Sequence, residues 1–90
     1  MAVVAVKIKA LPESPDLNMD ELKQKISESL MSAGAIKIES IEEEGLAFGL
    51  KAIIVFFAWP EEKDTSIAET AVQVPGISSL EVIDYRRAFG

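Results

Sequence analysis

Arg86 and Arg87 stand side by side near the end of the chain, Lys51 heads a long apolar run, and Glu42, Glu43 and Glu44 precede it. These are the residues whose type and spacing could do chemistry. An arginine presents a planar cation to phosphate or carboxylate. Successive strand residues point to opposite faces, so only one of the two can serve a given site. A solvated tail is the plainer reading. The three glutamates are hard oxygen donors, but neighbours in a strand or turn do not converge on one ion, so a solvated turn accounts for them. Lys51 reads as an exposed residue at a strand's start.

No histidine is present to activate a serine, threonine or tyrosine, and there is no cysteine. The composition therefore argues against hydrolysis and acyl transfer, without excluding lysine or carboxylate chemistry. Paired carboxylates for acid–base work need opposed positions and a shifted pKa. With 15 acidic residues some pairs are inevitable, so no pair is specific. Disulfides and thiolate metal sites are excluded, the commonest zinc ligand is missing, and no cofactor is implied.

Gly45-Leu46-Ala47-Phe48-Gly49 lacks the glycine spacing and the Lys-Ser/Thr of a phosphate loop. Gly49 inside a strand suggests a bulge or a close approach by another backbone. Phe48 is then either an ordinary core residue or an exposed aromatic anchor projecting from the end of a sheet.

Positioning these residues falls to the stretch from Glu42 to Trp59. Leu50, Ala52, Ile54, Phe56 and Ala58 form one alternating apolar set, and Ile53, Val55, Phe57 and Trp59 the other. Two apolar sets mark a central strand covered on both faces. The set Ile53, Val55, Phe57, Trp59 is a candidate patch on an open face, and a patch that size indicates association. Val3 to Ala10 alternates as a strand, with Val4, Val6 and Ile8 opposite Lys7 and Lys9. Asn18, with Glu21 three residues on, caps a helix whose stripe is Leu22, Ile26 and Leu30, flanked by Met19 and Ala33, and which stops at Gly34. Ile36 to Glu43 reads as an edge strand with Glu44-Gly45 as its turn. Asp64 or Thr65 caps a second helix, Ser66 to Val74, packed through Ile67, Ala71 and Val74, and Leu80 to Arg87 is a last strand in which broken alternation suggests a bulge.

Strand, helix, strand, strand, helix, strand is the split βαβ order of an α+β, ferredoxin-like sandwich. Right-handed crossovers place both helices on one face of a four-stranded antiparallel sheet, with the first and third strands central. The 90 residues are expected to form one domain, 1–90, and the net charge of −6 disfavours direct nucleic-acid binding. The longest apolar run, Ala52 to Pro60, is too short to span a bilayer, and the N-terminus lacks a signal-peptide pattern. A soluble cytoplasmic protein is expected.

Three segments together, Val6–Asp16 (VKIKALPESPD), Ile41–Val55 (IEEEGLAFGLKAIIV) and Pro75–Arg87 (PGISSLEVIDYRR), resemble the archaeal translation elongation factor 1-beta family, and the likeness covers essentially the whole chain. The resemblance implies a ferredoxin-like guanine nucleotide exchange domain whose partner is the GTPase elongation factor 1-alpha. It implies that Phe48, in the segment Ala47 to Ala52, docks into an apolar pocket on the GTPase, with Gly49 and Lys51 beside it. It further implies a cation near the C-terminus reaching the magnesium and phosphate region. That position falls on Arg87, or on Arg86 if the register shifts by one; the eukaryotic relatives have lysine there, and arginine keeps the charge as a planar fork.

Three rivals share the fold. A small-molecule regulatory module that dimerises through its sheet would also use an open apolar face. An acylphosphatase-like enzyme needs an arginine in a glycine-rich first loop, and Leu11 to Asp16 has neither residue. An RNA-binding sheet wants central aromatics in a basic setting, and the first strand has none.

Overall fold

A computed structural model describes residues 2–88. The elements are β1 (Val3–Pro12), α1 (Met19–Ala33), β2 (Lys37–Gly45), a tight turn at Ala47–Gly49, β3 (Lys51–Pro60), α2 (Thr65–Val72) and β4 (Ile77–Ala88). The sheet order is β2-β3-β1-β4, every pair antiparallel, with β1 and β3 central. This is the expected ferredoxin-like α+β sandwich.

α1 forms as its sequence dictates. The Asn18 side chain accepts the Glu21 backbone N–H at 3.1 Å, Leu22, Ile26 and Leu30 are buried, and Gly34 closes the helix at φ 118°. That positive φ is open to glycine and costly for other residues. Asp64 caps α2 through the Ser66 N–H. The buried face of α2 is Ala68, Ala71 and Val72, whereas Ile67, placed in the stripe by its spacing, is exposed. In a helix this short, two apolar stripes are available and the small residues allow the closer approach.

The core lies between the helices and one face of the sheet. Val4, Val6, Ile8 and Ala10 of β1 point into it, as do Ile53, Val55, Phe57 and Trp59 of β3. The expectation of an open-face patch made by those four β3 residues is thereby overturned. They are fully buried under the helices, with the Phe57 and Trp59 rings edge to face at 6.0 Å. The other set, Ala52, Ile54, Phe56 and Ala58, takes the helix-free face, where Lys7 lays its ammonium 5.2 Å from the Phe56 ring centre. Register places Asp84 opposite Lys7, Glu81 opposite Lys9 and Arg86 opposite Ala5 on that same face, so it carries a ladder of charge as well as apolar surface.

β4 is bulged where its alternation breaks. Asp84 pairs with Lys7 and Val82 with Ile8, leaving Ile83 as the extra residue. The bulge interrupts an edge strand that would otherwise offer a regular ladder to another chain. Among the described residues no helix is long and apolar enough to cross a membrane.

Candidate functional site

The hairpin joining β2 and β3 builds one end of the sheet. β2 continues through Glu42, Glu43 and Glu44 to Gly45, so the glutamates are strand residues and the turn lies beyond the expected Glu44-Gly45. Leu46 donates its N–H to the Leu50 carbonyl at 2.7 Å, and Leu50 donates to the Ala47 carbonyl at 3.3 Å. Between them Phe48 (φ 62°, ψ 30°) and Gly49 (φ 75°) both have left-handed backbones. Two adjacent positive φ angles inside an i to i+3 hydrogen bond are the pattern of a type I′ turn, which favours Asn-Gly. Phenylalanine in the first position costs about 1–2 kcal/mol of backbone strain. Gly49 is therefore a turn residue and not the bulge its place in an apolar run suggested.

Phe48 is 96% exposed. A large apolar ring held in water by a strained turn gains nothing from the fold that holds it. Sequence left core and surface open for this residue, and the structure puts it on the surface.

Salt bridges brace the base of the hairpin. Glu43 points to the helix side, where Lys23 of α1 reaches it at 2.6 Å and Lys51 at 3.7 Å. Glu44 points to the open face and meets Lys9 at 3.3 Å. The carboxylates thus diverge onto separate cations. The Glu43 carboxyl is held below the ordinary glutamate value, first by the hydrogen bond from Lys23 and then by the charges of Lys23 and Lys51. Lys51 is exposed, as expected, and belongs to this brace.

The arginines lie at the other end. Arg87 pairs in register with Val4, which pairs with Trp59, while Phe48 precedes the opposite end of β3. From Lys51 to Trp59 the strand advances about 26 Å at about 3.3 Å per residue, in a molecule 42 Å long. Ring and cation therefore stand at opposite ends of the sheet, because antiparallel pairing sends the end of β4 back beside the start of β1. The two arginines also face opposite ways. Arg86 is on the open face with its Nε 3.1 Å from Asp84, and Arg87 is on the helix face against Glu61 of the β3–α2 loop. Both guanidiniums are mostly exposed, and exposed pairs of this kind hold by about 0–1 kcal/mol.

Fold and surface together define a ferredoxin-like domain whose hairpin end holds an aromatic ring out in solvent. Residues 5–87 match the family described as the EF-1 guanine nucleotide exchange domain. The chain is 45% identical over 89 residues to elongation factor 1-beta of Methanosarcina barkeri, covering 97% of this chain and 99% of that one. It is 39% identical over 85 residues to elongation factor 1-beta of Staphylothermus marinus, covering 91% and 92%. Among solved structures, LarC2, the C-terminal domain of a cyclometallase involved in the synthesis of the NPN cofactor of lactate racemase, superposes with a TM-score of 0.60 at 14% identity over 99% of this chain and 58% of that one. That likeness speaks to the fold alone. The protein belongs to the EF-1 guanine nucleotide exchange domain family. Its role is nucleotide exchange, a binding activity exerted on a GTPase in which no covalent bond is made or broken.

Proposed function

We propose that this chain promotes GDP release from, and GTP loading on, the translation GTPase elongation factor 1-alpha, working in the cytoplasm without a cofactor, membrane or direct nucleic-acid contact. The observation that carries the reading is Phe48, fully presented to solvent by a turn that is strained to hold it. Family membership supplies the class of partner, and the side chain supplies the contact: an aromatic ring seeks a pocket.

In this reading the sheet is a rigid spacer. Phe48, flanked by Gly49 and Lys51, anchors one end to the GTPase. Arg87, where the family resemblance puts the cation when the last strands align without a gap, is the one directed at the nucleotide site; Arg86 leaves β4 on the opposite face, so the two cannot share that role. Its bond to Glu61 is exposed and cheap to exchange for a phosphate or carboxylate on the partner. GDP is held through its phosphates and magnesium, and a cation placed among them weakens both holds. Linkage requires that bound nucleotide weaken the factor's affinity in the same proportion. GTP, the more abundant nucleotide, then rebinds and expels the factor.

The test is release of fluorescent GDP from purified elongation factor 1-alpha with and without this protein. Acceleration at substoichiometric factor is expected. An unchanged release rate at saturating factor rejects the reading.

A further inference from the structure

The helix-free face is not flat at the hairpin end. Leu46, on the far side of β3 from β1, lines the same cavity as Lys9 and Leu11 of β1 and Ser79, Leu80 and Glu81 of β4. The hairpin must therefore curl over the sheet, and it leaves a groove of about 340 Å³ open to solvent. Leu11 and Leu46 give it apolar walls. Lys9 is taken by Glu44 at 3.3 Å, while Glu81, directly opposite Lys9 in register, has no ion pair among the described residues. The rim thus has one carboxylate left over, beside Ser79.

We infer that this groove is a second seat for the GTPase, receiving a lysine or arginine side chain of the partner: apolar stem against Leu11 and Leu46, cationic head on Glu81. Three observations select that occupant. The unbalanced charge at the rim is negative, and so is the whole chain, at −6. Long basic side chains combine an apolar stem with a charged tip, which matches apolar walls below a carboxylate. Leu46 belongs to the same five-residue loop as Phe48, so a partner that accepts the ring lies against the groove as well. Ring into partner and cation into groove would interlock the two surfaces and fix the angle of the sheet. The proposal rests on the exchange-factor reading above.

The experiment measures the affinity of the full chain for nucleotide-free elongation factor 1-alpha at low and moderate salt, alongside GDP release. Glu81→Gln is expected to weaken binding about tenfold, the size of one lost charge-assisted contact, and to flatten the salt dependence. Ser79→Trp, which fills the groove without changing charge, is expected to weaken binding at both salt concentrations alike. Glu28→Gln, on the solvent side of α1, makes the same change in net charge and provides the control, and melting curves verify that each variant is folded. If wild type binds and accelerates release while Glu81→Gln and Ser79→Trp match it, the groove is overturned and the exchange-factor reading stands. If wild type itself neither binds nor accelerates, the exchange-factor reading fails first and the groove with it.

Discussion

Phe48 and Gly49 share a left-handed backbone, at φ 62° and 75°, as the two central residues of one closed turn. Glycine adopts that conformation freely, and a phenylalanine does not. Phe48→Asn, which places the favoured residue in the same turn, is expected to stabilise the fold by about 1 kcal/mol and raise the melting temperature by about 4–8 °C, while lowering GDP release. Phe48→Ala keeps the strain, so its melting temperature should stay near wild type while exchange falls as far. Thermal denaturation of the two variants separates strain from contact; an unshifted or lowered melting temperature for Phe48→Asn counts against a strained turn.

Gly49 offers a control on the same geometry. A Cβ added there meets nothing within 4 Å, so Gly49→Ala isolates the backbone cost. A loss of about 1 kcal/mol is expected by denaturant titration.

At the opposite corner, Lys63 closes α1. Its ammonium donates to the Ala33 carbonyl and sits 5.5 Å from the Trp59 ring centre, while the Trp59 indole N–H donates to the Lys63 carbonyl at 3.2 Å. The last turn of α1 has no basic residue of its own, so this loop lysine supplies the charge the helix terminus favours. Lys63→Met, which keeps the stem, should cost about 1–2 kcal/mol. A Cβ on Gly34 would collide with the Lys63 ammonium and displace it. Gly34→Ala therefore already removes the Lys63 contact, and adding Lys63→Met should cost far less than it does alone. Equal costs in the two backgrounds, read from denaturant midpoints, would refute the shared contact.

The brace under the hairpin titrates. Glu43 has a folded pKa below its ordinary value, so its bond to Lys23 contributes stability that is fully present above about pH 4.5 and is lost as pH falls through the depressed folded value. Carbon-detected titration of Glu43 should show its midpoint rising in Lys23→Ala and rising less in Lys51→Ala, since the Lys23 hydrogen bond is the leading cause. The reverse order would assign the brace to Lys51.

Which features were legible in the sequence follows from which had a unique local signal. α1 is bounded by Asn18 and Gly34 and emerged as written; β1 alternates strictly as read but runs to Pro12, two residues beyond the Val3 to Ala10 expected, because Leu11 and Pro12 still pair with β4. So did the order of elements, and with it the sheet topology. β3 announced itself as central because both its faces are apolar, and for the same reason it could not say which face the helices cover; on the open face Lys7 lies over the Phe56 ring. The turn was misplaced because Glu44-Gly45 carries the usual turn residues, whereas phenylalanine at a positive φ carries no turn signal at all. Ile67 misled because α2 has two apolar stripes and packs the smaller one. The distance between Phe48 and the arginines was available from antiparallel order alone: a fourth strand beside the first must end where the first begins.

That distance makes the two-ended reading testable without a structure of the complex. If Phe48 and Arg87 engage separate regions of one GTPase, each loses its own contact on truncation and neither variant alters the other's surroundings. Sites this far apart add in free energy to within about 0.3–0.5 kcal/mol. Arg87→Ala should slow GDP release more than Lys23→Ala, which leaves a cation-for-carboxylate exchange site untouched, and more than Arg86→Ala, which faces the other way. Phe48→Ala should act mainly on affinity, since the ring contributes equally before and after the nucleotide is disturbed. The double variant should then show the product of the two fold-losses in release rate per unit factor. A double variant no worse than Arg87→Ala alone would mean that ring and cation act as one unit, which a rigid sheet with the two at opposite ends cannot provide.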